Sequence, residues 1–161
     1  MYPGRAFWLL LALLLGCARK PPYQGLSVAE LERMLDDPSP TAQAQAAYGL
    51  SRHGAEARPA LPSLVRALHS PNALVRQQAA LALGEIGAEA EEAVPALIEA
   101  LRDGEWSVRR QAALALGKIG PPAHAAEPEL LRCQHDENTL VRKAVAQALA
   151  KIKNTADGER R

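Results

Sequence analysis

Aromatic residues make up only 4% of this 161-residue chain, with one phenylalanine, two tryptophans and three tyrosines. An interior without large rings must be filled by aliphatic side chains, and alanine and leucine are the ones at hand. There are two cysteines, too few for a disulfide framework. Charge of one sign is lacking too: 19 Lys and Arg face 18 Asp and Glu, so the composition holds no basic stripe for nucleic acid, and no nucleic-acid partner is expected. Long apolar runs are also missing, because the stretch from Ala6 to Leu15 falls far short of the roughly 20 residues that span hydrocarbon. Catalytic patterns such as G-x-S-x-G or H-E-x-x-H do not occur. His53, His69, His124 and His135 lack the clustered spacing of a metal site, so neither metal, cofactor nor enzyme activity is expected. Gly84-x-x-Gly87 and Gly117-x-x-Gly120 follow apolar helical patterns instead of opening them, which suits helix ends better than phosphate loops.

What the chain does have is a period. Leu50, Leu83, Leu116 and Leu149 recur at the same interval as Gly54, Gly87 and Gly120 and as Pro62, Pro95 and Pro128, an interval of about 33 residues, in the range of stacked supersecondary units. Each unit opens on a polar turn, such as Ser70-Pro71-Asn72 or Asp103-Gly104-Glu105. A first helix follows, with Val75, Ala79, Ala82, Leu83 and Ile86 on one face. Gly87 and its equivalents sit where a left-handed residue ends a helix. A second helix then carries proline in its first turn and a leucine stripe, Leu64 and Leu68, Leu97 and Leu101, and Leu130. The fold class predicted is all-α, an α-solenoid of antiparallel hairpins with about eight helices. Small pairs, Ala46-Ala47, Ala79-Ala80, Ala112-Ala113 and Val145-Ala146, are placed at the close contacts between units. A half-unit, Ser27 to Leu35, precedes the first full one, and Ser27 with Glu30 has capping-box spacing.

The pattern D-x-x-x-x-V-R, then A-A-x-A-L-G-x-I-G, then A-V-P-x-L resembles HEAT repeats, in particular the short HEAT-like type also found in phycobilisome lyases. The resemblance implies a superhelix and an aspartate–arginine ladder, with Asp103, Arg109, Asp136, Arg142 and Arg76 as its members and gaps at Ser70 and Gln43. It also implies that second helices line the concave side. The expected protein-binding rows are therefore Arg33, Arg66, Glu99 and Arg132, with Ser63 and Glu129 beside them. Trp106, whose equivalents are Pro40, Ala73 and Thr139, is a candidate hot spot.

The amino end resembles a bacterial lipoprotein leader. Arg5 precedes the apolar run, and Leu14-Leu15-Gly16-Cys17 resembles a lipobox, in which the thiol of Cys17 takes the diacylglyceryl group. The organisation expected is a signal peptide over 1–16, a lipidated cysteine and tether over 17–26, the solenoid over 27–153 and a disordered tail over 154–161. Fully extended, residues 18–26 reach at most about 30 Å. Ala18 leans the localisation toward the outer membrane, facing the periplasm. Cys133 stands where Ala67 and Ala100 stand, which suits a small buried residue. These readings converge on an exported, membrane-tethered scaffold for a protein partner, the alternative being an accessory or lyase-like factor acting on a client protein or its cofactor.

Overall fold

A computed structural model describes residues 23–156, and the signal peptide, Cys17 and residues 157–161 lie outside them. Among the described residues there are eight α-helices and no strand: α1 (Val28–Met34), α2 (Pro40–His53), α3 (Leu61–Ala67), α4 (Ala73–Ile86), α5 (Val94–Ala100), α6 (Trp106–Ile119), α7 (Glu127–Arg132) and α8 (Thr139–Ala156). The even-numbered first helices form one layer and the short odd-numbered second helices the other. Three 3-10 segments, Gly54–Ala60, Gly87–Ala93 and Pro121–Ala126, fill the stretches between a first helix and the second helix after it.

Local chemistry sets each boundary. Ser27 caps α1 in a full capping box with Glu30, and Asn72 caps α4 through the backbone amides of Leu74 and Val75. Pro62, Pro95 and Pro128 sit in the first turns of α3, α5 and α7. Gly54, Gly87 and Gly120 end the first helices at φ 56°, 76° and 76°. Their ψ values near −130° to −140° lie beyond the ordinary left-handed cap, in a region that side chains exclude, so glycine is required there rather than merely favoured.

Burial follows the period. Leu50, Leu83 and Leu116 are fully buried in the first helices, facing Leu64, Leu97 and Leu130 in the second. First helices touch almost backbone to backbone. A Cβ added to Gly84 would lie 2.8 Å from Ala115 Cα, and one added to Gly117 2.8 Å from Ala148 Cα. The stack begins earlier than residue 27: Tyr23 and Leu26 pack on the core, Tyr23 meets Tyr48 edge to face at 5.1 Å, and His53 Nε2 lies 3.1 Å from the Leu26 carbonyl. Residues 23–26, drawn from sequence as part of the tether, therefore belong to the folded body. At the other end α8 runs to Ala156, three residues past the expected limit of 153. Ala146, expected at a close contact, is exposed because no further unit covers α8.

Candidate binding face

Two spacings decide which layer is the inner one. First helices are close enough for glycine and alanine backbones to touch. Neighbouring second-layer elements are bridged by long side chains: Ser63 Oγ donates to Glu32 Oε1 at 2.8 Å, Arg66 pairs with Asp36 at 3.7 Å, and Arg58 with Glu89 at 3.6 Å. Arg102 grips Glu129 with two bonds of 2.9 and 2.6 Å. A stack bends toward its more closely spaced layer, so the first helices line the concave side. This corrects the expectation that the second helices do. The row Arg33, Arg66, Glu99 and Arg132 is exposed on the outer layer. Ser63 and Glu129 are buried, and Glu129 is tied to Arg102 and Arg132, whose guanidinium groups hold its carboxyl below the usual carboxylate range.

The inner face repeats a short pattern of residues across the four first helices. Thr41, Leu74, Ser107 and Leu140 open it, then come Gln45, Gln78, Gln111 and Ala144, then Tyr48, Leu81, Leu114 and Gln147, and last Arg52, Glu85, Lys118 and Lys151. Leu74 and Leu140 are 50% and 46% exposed, large values for leucine. Between α2 and α4 lies a mainly apolar cleft of about 220 Å³ lined by Tyr23, Tyr48, Ala44, Leu74 and Gln78. The side-chain oxygen of Gln78, Oε1, is buried without a hydrogen-bond partner among the described residues. Trp106, 42% exposed, opens α6 one helical turn before Arg110, so the two are neighbours on the helix surface.

Charge divides between the layers in a way that the total conceals. Glu85 is the only acid on the four first helices, and Lys118 holds it. The same helices carry Arg52, Arg110 and Lys143, for which the described residues supply no ion pair, while Lys153 pairs with Glu127. The acids instead crowd the second layer, with Glu56, Glu89, Glu91, Glu92 and Glu99 among them. The absence of a basic stripe, read from the near-zero net charge, thus holds for the whole chain and not for this face.

The ladder runs along the turns, and its side-chain pairs cross from one unit to the next. Arg76 binds Asp103 with two bonds of 2.6 and 2.8 Å, 27 positions on, and its third nitrogen donates to the carbonyls of Ser70 and Pro71. Arg109 does the same with Asp136, at 2.7 and 3.1 Å, and gives its own Asp103 only a backbone bond. Arg142 meets the carbonyls of Asp136 and Glu137 but no acid. The Arg109 guanidinium holds the Asp136 carboxyl below its ordinary range against the opposing effect of burial. For Asp103 burial pushes upward, and the bonds from Arg76 and the Glu105 amide outweigh it.

Between the first two units the rung is missing. Gln43 reaches its own turn carbonyl, Asp37 O, at 2.8 Å, and Ser70 Oγ accepts from Asn72 N at 3.3 Å, so each keeps the bond within its unit and loses the bond across. A cleft of about 310 Å³, lined by Gln43, Ser63, Arg66, His69 and Ser70, opens at this gap. Cys133 is partly buried, its Sγ lies 3.7 Å from the Leu101 carbonyl, and burial pushes its thiol up, away from the reactive thiolate. Among the described residues no group of three or more His, Cys, Asp or Glu could hold a metal ion, and no helix is long and apolar enough to cross a membrane.

The sequence matches HEAT repeats over residues 28–114 and 94–159. The chain belongs to the HEAT repeat family. Among solved structures, an engineered protein is 26% identical with a TM-score of 0.69 over 79% of this chain and 64% of its own. The complex of CpcE and CpcF of phycocyanin lyase from Nostoc sp. PCC7120 is 26% identical, with a TM-score of 0.68 over 81% of this chain and 55% of its own. A designed armadillo repeat protein in complex with the peptide (KR)4 shares the fold at 21% identity, with a TM-score of 0.68 over 78% of this chain and 64% of its own. This HEAT repeat chain therefore spans less than two thirds of the length of these structures. No curated protein matches it.

Proposed function

We propose that this chain is a non-catalytic scaffold that holds a protein partner against the inner face of its first helices. The observation that carries this reading is that face itself, where Leu74, Trp106 and Leu140 stand exposed among the described residues. Amphipathic aromatic and aliphatic side chains of this kind are what partners bury. Following the resemblance of Leu14-Leu15-Gly16-Cys17 to a lipobox, the mature chain begins at a lipidated Cys17 and works in the cell envelope, at the outer membrane facing the periplasm. More than one acyl chain makes such attachment stable. Because Tyr23 already packs on the solenoid, only residues 18–22 remain as free tether, at most about 17 Å when extended.

Site-directed photocrosslinking in cells tests the scaffold. A crosslinker in place of Leu114 on the inner face should capture a discrete protein, and one in place of Glu91 on the outer layer should not. Equal capture from both, or from neither, defeats the reading. Membrane fractionation of Cys17→Ala tests the anchor, which is abandoned if the variant stays with the membrane in a lipid-free form.

The second reading, an accessory factor that modifies a client's cofactor, is favoured by the 26% identity to the phycocyanin lyase complex over most of this chain. A coloured or apolar ligand copurifying with the full chain would replace the scaffold with that role.

A further inference from the structure

We infer that the inner face selects an acidic, extended polypeptide segment, anchored by one apolar side chain in the cleft between α2 and α4. This rests on the reading of that face as the binding surface and names its partner's chemistry. Two independent observations meet there. Gln78 lines the cleft with Tyr23, Tyr48 and Leu74, and its Oε1 is buried without a partner among the described residues, a state that carries a penalty until the side chain turns to meet a donor. Beyond it the face is positive, since Arg110 and Lys143 lie in one periodic row without ion pairs and the single acid, Glu85, is already held by Lys118.

The donor requirement separates candidate anions. Phosphate groups themselves offer acceptors only, whereas a peptide backbone brings an N–H at nearly every residue alongside its side chains. Register follows from spacing. Packed helices stand about 8–10 Å apart, and an extended chain advances about 3.3 Å per residue. A side chain seated between α2 and α4 therefore puts acids about four and seven residues farther along near Arg110 on α6 and Lys143 on α8. Trp106, beside Arg110, offers an apolar wall to the residues between them.

Fluorescence anisotropy with the full chain in detergent provides the test. The probes are a short labelled peptide with leucine followed by glutamates about four and seven residues farther on, the same peptide with lysines, a charge-scrambled version and a labelled single-stranded oligonucleotide. The acidic peptide should bind at least 10-fold more tightly than the other three. Arg110→Glu and Lys143→Glu should each weaken it about 10-fold, and Gln78→Leu about 5-fold, as expected for one lost hydrogen bond. Circular dichroism melts establish that each variant is folded, and Glu91→Lys on the outer layer should leave binding unchanged. Equal binding of acidic and lysine peptides, indifference to Arg110→Glu and Gln78→Leu, oligonucleotide binding as tight as the peptide's, or no peptide binding at all each overturns the inference. A crosslinked partner lacking acidic segments would overturn it while leaving the scaffold in place; absence of any inner-face crosslink would remove the scaffold as well.

Discussion

The joint between the second and third units and the joint between the first and second are built on the same plan with different parts. In the former, glycine at 84 lets α4 and α6 touch, and Arg76 clamps Asp103 across the turns. In the latter, Ser51 stands at the glycine position and Gln43 and Ser70 each bond within their own unit, so the rung is lost. Both joints nonetheless bury their leucines fully, Leu50 as well as Leu83. Apolar packing is thus enough to hold a unit in the stack without the arginine clamp.

Substitutions can break that contrast. Leu116→Ala should cause the largest loss, about 2–5 kcal/mol in a urea melt, because its site is fully buried and cannot collapse between two helical layers. Arg109→Ala should follow at about 3 kcal/mol, since it strands the Asp136 carboxylate, whose side chain is 8% exposed, whereas Arg142→Ala, which frees only carbonyls near solvent, should lose under about 1 kcal/mol. Comparable losses for the two arginines would show that the cross-unit clamp adds nothing. Gly84→Ala should lose about 1–3 kcal/mol through overpacking against Ala115 while Ser51→Ala stays near neutral. The smallest effect is a gain: Gln43→Arg together with Ser70→Asp should complete the missing rung and add about 1 kcal/mol, more than the two single changes together.

Acid sharpens the same comparison. The folded carboxyls of Asp103 and Asp136 are held below their ordinary value, so their contribution is complete above the unfolded value near 4 and disappears as pH falls through the lower folded one. Melts between neutral pH and pH 3 should therefore lose less stability in Asp136→Asn than in the unchanged chain. An identical loss would place the acid sensitivity elsewhere.

Much of the fold was legible because one hairpin is written several times, and the repeated Leu83, Leu116 and Gly87, Gly120 positions locate helices and their ends without any long-range information. The site was less so. Which layer is inner depends on how nearly two backbones approach, a property of Gly84 against Ala115 that no hydrophobic periodicity carries. The ladder partner of Arg76 lies 27 positions on, across a unit boundary, so the six-residue spacing of aspartate and arginine within a unit names the members of the ladder but not which acid each arginine holds. Charge segregation vanished in the sum, because Glu89, Glu91 and Glu92 on one layer offset Arg110 and Lys143 on the other. Tyr23 sits beside prolines and looked like linker, and only its contact with Tyr48 and the space over Gly49 tie it to the stack.

The clampless joint also has a mechanical meaning. A solenoid loaded from its amino end would transmit force unit by unit, and the seam between α2 and α4 lacks the arginine clamp of the later ones. Tension drawn through Tyr23 would peel the first hairpin away before the later ones yield, splitting the pocket that Tyr23, Tyr48 and Leu74 share. Grip on a cargo and strain on the leash would then be inversely related.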